Sequence, residues 1–341
     1  MKAIVQNDYG SPDVFELKEI DKPVVKKEDD VLVRVHAAAL HAGDYFIMRG
    51  VPYLVRLVAG WPKPKNHVPG YDVAGHVEEI GKNVTRFQPG DEVFGECNGT
   101  CAEYVCAAED EFVLKPACLT LEQAAAVPMS ALTAIHGLRD AGKVQPGHKV
   151  LINGASGGVG TFAVQIAKTF GAEVTGVCST RNVDMVRSIG ADHVIDYTEE
   201  DFTLSKQRYD LILDNVANRS FSDCRRALSP QGTLIPNSGN GGLGYIVKAV
   251  VLSAFVRQKV RLFLSIPKNE DLVVLKELIE AGKVTPVIDR TYPLSETPQA
   301  FRYLNEGHAR GKIVITVERN GKTEQRVAAD TTKRGAAERE R

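Results

Sequence analysis

Lys149-Val150-Leu151-Ile152-Asn153-Gly154-Ala155-Ser156-Gly157-Gly158-Val159-Gly160 opens as a short apolar strand and ends in a cluster of glycines. A helical pattern follows, with Phe162, Ala163, Ile166, Ala167 and Phe170 at helical spacing and Gly171 where a helix C′ glycine belongs. Glu173-Val174-Thr175-Gly176-Val177-Cys178 then reads as a second apolar strand running into Ser179 and Thr180. Strand, glycine turn, helix and strand make a βαβ unit, since parallel strands need a crossover of this length. The turn reads Ala-x-Gly-x-x-Gly, with Ala155 in the first glycine's place. Gly157 lets backbone approach a pyrophosphate, Gly160 lets the helix pack closely on the strand, and free N–H groups at the helix start, around Gly158 and Val159, face the phosphates. A glycine turn alone is weak evidence. Its place after a strand, before a helix and before a second strand favours dinucleotide binding over a purely structural turn.

The pattern continues outward from this unit. Over residues 126–262 strand and helix patterns alternate, with His193-Val194-Ile195-Asp196 as a third strand, Tyr209–Asn215 as a fourth and Gly232–Ser238 as a fifth. Ligands of such sheets bind beyond the carboxyl ends of the strands, which puts Asp214, Asn215, Asn237 and Ser238 near the crevice. Residues 1–125 read instead as short strands and turns, a compact β-rich domain. Val31-Leu32-Val33-Arg34-Val35-His36 alternates like a half-buried strand, Val73–Gly81 is another, and the Pro89-Gly90 turn leads into a third. Leu121–Leu138 is a helical stretch containing Pro128 and Thr133. Residues 263–318 hold a helix, Asp271–Ala281, and a last strand, Lys312–Val317. Residues 319–341 are polar, charged and alanine-rich, bury little, and are expected to be disordered.

At 341 residues the chain exceeds what one core usually serves, so two domains are expected. A formal net charge of -1 gives no reason to expect nucleic acid or an anionic membrane as a partner. Six cysteines without a repeated framework point to free thiols in a reducing compartment. Met1 leads directly into strand-like Lys2-Ala3-Ile4-Val5 with no visible targeting segment, so a cytoplasmic location is expected. Gly242–Phe255 is apolar, but it is short for a bilayer span and Lys248 interrupts it. A buried helix, or the interface of a homodimer, is the reading preferred over a membrane anchor.

Gly147-His148, Leu151, Ala155-Ser156-Gly157-Gly158, Gly160, Gln165 and Lys168 resemble the quinone oxidoreductase (zeta-crystallin) signature of the medium-chain dehydrogenase/reductase family. The resemblance runs from Met1 to about Val317 and lies near the branch of reticulon-interacting mitochondrial reductases. Pro69-Gly70-Tyr71-Asp72-Val73-Ala74-Gly75 and Gly90-Asp91-Glu92-Val93 resemble that family's GroES-like catalytic domain. The resemblance implies an α/β fold: a GroES-like domain over residues 1–125, a Rossmann doubly wound parallel sheet over residues 126–262, and a return over residues 263–318 that completes the catalytic domain.

Coenzyme choice has a physical signal. NAD enzymes usually carry an acid at the end of the second strand. Here Ser179, Thr180, Arg181 and Asn182 stand there, and hydroxyls followed by arginine suit the 2′-phosphate of NADP(H), against the plainer reading of a surface arginine. By resemblance, Thr133, Ser156, Tyr197, Asn215, Ser238, Phe263 and Leu264 join the coenzyme contacts. Gly307-His308-Ala309-Arg310-Gly311-Lys312 resembles a further contact, carried by His308, Ala309 and Arg310.

Zinc divides this family. Zinc-dependent relatives have Gly-His-Glu where this chain has Gly70-Tyr71-Asp72, a ligand cysteine near His41-Ala42-Gly43-Asp44, and a four-cysteine lobe. Cys97, Cys101 and Cys106 form no such lobe, so no metal is expected. His41, Tyr45 and Tyr71 are candidate proton donors, with Asp44 beside them. The competing reading leaves His41 and Asp44 as braces of the turn, Asp44 satisfying its backbone donors. The expected activity is reduction of quinones or carbonyl-conjugated alkenes by hydride from NADPH. Carbonyl/alcohol interconversion, or a coenzyme-binding structural or regulatory protein with little turnover, are the alternatives.

Overall fold

The computed structural model describes residues 1–238, 242–253 and 255–317. The tail beyond 319 lies outside the described residues. Six parallel strands form one sheet: Lys149–Asn153, Glu173–Cys178, His193–Asp196, Tyr209–Asp214, Leu228–Pro236 and Lys259–Val260. Numbered along the chain, they lie in the order three, two, one, four, five, six, the doubly wound arrangement that leaves a crevice between the first and fourth strands. Helices Gly158–Thr169, Val183–Ser188, Phe221–Ala227 and Gly242–Ser253 make the crossovers. The inner strands carry apolar runs because both faces are covered, and Val150, Leu151 and Ile152 are fully buried. Helix Gly158–Thr169 ends at Phe170, and Gly171 follows with φ +75°.

The second sheet has seven strands and is mostly antiparallel. Its path runs Ile288–Pro293, Lys312–Thr316, Asp30–Leu40, Asp72–Ile80, Glu92–Glu96, Phe112–Leu114, with Tyr104–Ala108 also on Asp30–Leu40. Asp30–Leu40 is longer than the alternation suggested, and it is buried on both faces over most of its length. The reason is its neighbours: three strands pair with it, and helix Leu121–Ala125 packs across it. The final strand Lys312–Thr316 therefore sits inside this sheet, between Ile288–Pro293 and Asp30–Leu40.

The stretch expected as one helix from Leu121 is two. Thr120 caps Leu121–Ala125 through a reciprocal pair with Gln123, at 3.2 Å and 2.9 Å. Pro128, lacking an N–H, begins Pro128–Ile135, which passes into a wider turn at His136–Ala141. These helices join the sheets, because one core holds Ala37 and Phe94 of the second sheet together with Leu132, Val150 and Phe162. Among the described residues no helix is long and apolar enough to cross a membrane. Part of Gly242–Phe255 lies outside the described residues; of the rest, Ala249 is buried, while Val250, Val251 and Phe255 are exposed.

Candidate active site and coenzyme cleft

The glycine turn lies at the C-terminal end of the first parallel strand. Gly154 takes φ +78°, and the Gly154 and Ala155 N–H groups donate to the Val177 carbonyl at 3.2 Å and 3.0 Å. Gly160 faces backbone: an added Cβ would lie 2.0 Å from the Gly154 oxygen. Gly157, at the N-cap of Gly158–Thr169, is open by comparison, with nothing nearer than 3.5 Å to an added Cβ. The turn thus has a closed side toward the helix and an open side where backbone N–H groups can meet an anion. The C-terminal return runs along it. Gly311 donates to the Ser156 carbonyl at 2.8 Å and pairs with Gly157.

The return also meets one of the residues expected at the 2′-phosphate, Arg181. Arg181 reaches across 127 residues of sequence and donates from Nη2 to the His308 carbonyl at 2.7 Å. Asn182 donates to the hydroxyls of both Ser156 and Ser179, at 3.1 Å and 3.2 Å. The Thr180 hydroxyl meets that of Thr198 at 3.0 Å. Asp289 holds the turn from behind, accepting from the Arg310 N–H at 2.9 Å and the Tyr303 hydroxyl at 2.7 Å. Ala309 packs against the apolar cluster of the second sheet, and His308 and Arg310 stay exposed. Tyr197, half exposed, donates its N–H to the Cys178 carbonyl at 3.0 Å. One acid went unread in the sequence. Asp196 ends the third strand, and hydrogen bonds from Thr180 and then Thr198 hold its carboxyl below the usual range.

At the crevice, Asp214 is fully buried and braces the loop after its strand, accepting from the Ala217 and Val216 N–H groups at 2.9 Å and 3.2 Å and from Asn153 Nδ2 at 2.8 Å. It is a brace of the loop here, not a lining residue of the crevice. Asn215 accepts from Asn237 Nδ2 at 2.7 Å, and its own Nδ2 is buried with no hydrogen-bond partner among the described residues. Ser238 follows Asn237 just beyond the fifth strand. Thr133 is half-buried on Pro128–Ile135, its hydroxyl 3.7 Å from Met129 Sδ. Phe263 lies against Gly137, its ring 3.3 Å from where a Cβ would stand, whereas Leu264 is exposed. Their segment is tied down by Arg261 to the Ala141 carbonyl at 2.7 Å and by Ser265 Oγ to His136 Nδ1 at 2.9 Å.

The candidate proton donors separate. His41 caps helix Ala42–Arg49, and Asp44, buried, accepts from the His41 N–H at 2.8 Å. Asp44 thus does what a turn-bracing carboxylate does, with Oδ2 also 3.5 Å from His41 Nε2, and among the described residues its Oδ1 and His41 Nε2 are buried without a hydrogen-bond partner. The His41 and Tyr71 rings lie 5.9 Å apart. Tyr45 turns elsewhere: it packs on the cluster of Phe15, Phe301 and Ile313, and its hydroxyl accepts from Arg49 Nη1 at 3.3 Å. Burial, and then the charges of Asp44 and Glu96, push the Tyr71 hydroxyl up to about 12. It stays protonated near neutrality.

Two further features escaped sequence reading. Glu96 pairs with Asp72 across the sheet, and burial followed by Asp72 and Asp44 pushes its carboxyl up to about 9. It is a neutral acid at pH 7, with Oε2 buried and without a hydrogen-bond partner among the described residues. Asp72 itself is fully buried in an ion pair with Lys312, Nζ to Oδ2 2.9 Å. Lys312 also donates to Ser130 Oγ at 3.1 Å, and Asp72 Oδ1 accepts from the Met129 N–H at 2.8 Å. An acid within the Pro69–Gly75 run and a lysine opening an apolar strand were the available signals, but neither marks a pair. Among the described residues no three His, Cys, Asp or Glu side chains come together where a metal ion could be held. Of the residues matched to zinc ligands by resemblance, His41 caps its helix and Asp72 is paired with Lys312.

Known proteins share this architecture. The Alcohol dehydrogenase GroES-like domain matches residues 27–117, and the family described as Zinc-binding dehydrogenase matches residues 189–315. The mouse NAD(P)H oxidoreductase RTN4IP1, mitochondrial, is 35% identical, the match covering 93% of this chain and 89% of the relative. The chloroplast envelope quinone oxidoreductase homolog of Arabidopsis thaliana is 35% identical, over 92% and 98%. A solved quinone oxidoreductase from Coxiella burnetii superposes with a TM-score of 0.83 at 32% identity, covering 93% of this chain and 99% of that one. With a doubly wound sheet, a GroES-like partner domain and near full-length relatives, the chain belongs to the medium-chain dehydrogenase/reductase family, in its quinone oxidoreductase group.

Proposed function

We propose that the protein is an NADPH-dependent oxidoreductase that reduces quinones or α,β-unsaturated carbonyl compounds without a metal ion. The observation that carries this is the convergence of Arg181, Ser179 and the 308–310 turn beside the open face of the glycine turn. The residues present fit the coenzyme. Backbone N–H groups after Gly157 take the diphosphate, Arg181 with Thr180 takes the 2′-phosphate, and the orphaned amide of Asn215 offers a donor deeper in the crevice. Bound there, NADPH supplies a hydride to an electron-poor carbon. The protein's part is orientation and a proton source. Tyr71 and Glu96 both hold a proton at pH 7, and His41 stands next to Tyr71.

Relatives support the substrate class. The tomato 2-methylene-furan-3-one reductase is 35% identical over 92% of this chain, and an Arabidopsis NADPH-dependent alkenal/one oxidoreductase is 34% identical over the same share. Six free thiols support a reducing compartment such as the cytoplasm, and exposed Val250, Val251 and Phe255 support a homodimer. The test is NADPH oxidation over quinones, enones and saturated ketones, with and without a chelator. Turnover of quinones or enones that survives chelation is expected. Turnover confined to saturated ketones, or activity abolished by the chelator and restored by zinc, overturns the reading.

A further inference from the structure

Between helix Ala42–Arg49 and strand Asp72–Ile80, residues 51–65 reverse the usual order of burial. Leu57 is 78% exposed, Val58 88% and Trp61 68%, with Val51, Tyr53 and Leu54 exposed beside them. Such a contiguous patch on a folded chain marks an interaction surface. The backbone holds it out. A tight helical turn at Tyr53–Val55 runs into Arg56–Ala59, and Gly60 ends it with φ +123°, its carbonyl accepting from the Tyr9 hydroxyl at 2.7 Å. Arg56, the one charge among residues 51–61, folds over the rings of Tyr9, Tyr53 and Trp61 and donates to the Gly50 carbonyl at 3.0 Å. It braces the aromatic side chains and does not interrupt the apolar run.

The charge of this region has one sign. From Tyr45 to Tyr71 the chain carries Arg49, Arg56, Lys63 and Lys65 and no Asp or Glu, although the whole chain balances 42 basic against 43 acidic residues. Lys63 has a partner from outside the stretch, Asp8 at 2.9 Å, in a pair open to solvent. A second copy of the chain is a poor occupant. A two-fold interface sets the same patch against itself, and so sets these cations against their own copies. An anionic lipid surface complements both halves of the pattern. Aliphatic side chains enter the acyl boundary, tryptophan and tyrosine sit at headgroup level, and lysine and arginine meet anionic phosphates.

We propose that residues 51–65 form an interfacial anchor that seats the protein on an anionic lipid surface. The segment joins the helix capped by His41 to Tyr71, so it is held between two sides of the candidate site. Entry of a lipophilic quinone from the bilayer rests on the proposed function; the docking itself does not.

Trp61 is the chain's single tryptophan, so its emission reports on this segment alone. The full-length protein is mixed with vesicles of phosphatidylcholine, and with vesicles that also contain phosphatidylserine. A blue shift, quenching by brominated acyl chains and co-flotation are expected with the anionic vesicles, weakening as salt rises. Leu57→Glu with Val58→Glu should lower vesicle binding by about tenfold or more, leaving reduction of a short, water-soluble quinone unchanged. Absence of shift and flotation with anionic vesicles overturns the proposal. So does binding that the double substitution leaves intact, or a concentration-dependent dimer that it breaks. Vesicle binding by a protein that turns over no quinone or enone leaves the anchor standing and removes the proposed function.

Discussion

Lys312→Met removes one half of a buried ion pair and leaves the other half in place. Lys312 is 1% exposed and Asp72 0%, with Nζ 2.9 Å from Oδ2. After the substitution the Asp72 carboxylate keeps the Met129 N–H on its other oxygen but loses its counter-charge. Leaving one member of a buried pair uncompensated costs about 3–5 kcal/mol, a large part of the roughly 5–15 kcal/mol that typically holds a folded protein together. Removing both charges is different, because the desolvation cost leaves with them. Asp72→Asn combined with Lys312→Met should recover most of the loss. The assay is urea unfolding of the parent, both single variants and the double variant at one pH and ionic strength. A loss below about 1 kcal/mol in Lys312→Met, or a double variant as damaged as the sum of the singles, refutes the reasoning. The site is affected as well. Lys312 follows Gly311, which donates to the Ser156 carbonyl, and its Cδ lies 3.3 Å from a Cβ built on Gly158. NADPH affinity should therefore fall along with stability.

Arg181→Ala should weaken NADPH binding by about ten- to a hundredfold, nearer the lower figure because the guanidinium is exposed, and leave NADH nearly unchanged. Titration of both coenzymes at one ionic strength checks this, and equal weakening of the two rules out 2′-phosphate recognition by Arg181. Gly160→Ala places a methyl 2.0 Å from the Gly154 oxygen and should cost about 1–3 kcal/mol or more. Gly157→Ala meets nothing within 3.4 Å and should keep its melting temperature while weakening coenzyme binding, so equal melting losses in the two would contradict the division of roles. Glu96, raised from 4.5 to about 9, binds a proton in the folded chain that the unfolded chain releases. Its contribution is fully present below the unfolded value and is lost as pH rises through about 9. Glu96→Gln should flatten that fall, gaining on the parent with each pH unit by at most about 1.4 kcal/mol. Denaturant midpoints across that window measure it, and a variant that loses ground as pH rises counts against a buried neutral acid.

How much of this was legible in the sequence follows from how local each feature is. The βαβ unit was legible because its determinants lie within 32 residues, from Lys149 to Thr180, and its strands carry the apolar runs that burial on both faces demands. His193–Asp196, an exposed-to-half-buried edge strand, was found to the residue as well. Asp30–Leu40 misled because alternation reports one covered face, and here pairing strands and a helix cover both. Arg181 was legible as a charge after a strand, but its contact with His308 was not, since nothing near residue 181 encodes the return of the chain. Glu96 reads as an ordinary surface glutamate. Its carboxyl is pushed up first by burial, and then by Asp72 opposite it in register and Asp44 on a helix, neither adjacent in sequence. Lys312 is the extreme case, 240 residues from its partner. Its position at the head of an apolar strand predicts a snorkelling lysine, not a buried one. The return over residues 307–316 makes three distant contacts at once: Gly311 on Ser156, the His308 carbonyl on Arg181, and Lys312 on Asp72. Two of these lie beside the glycine turn and the third inside the second sheet. One short piece of chain therefore ties the glycine turn and Arg181 to a buried ion pair in the second sheet, which is why Lys312→Met is expected to lower coenzyme affinity as well as stability.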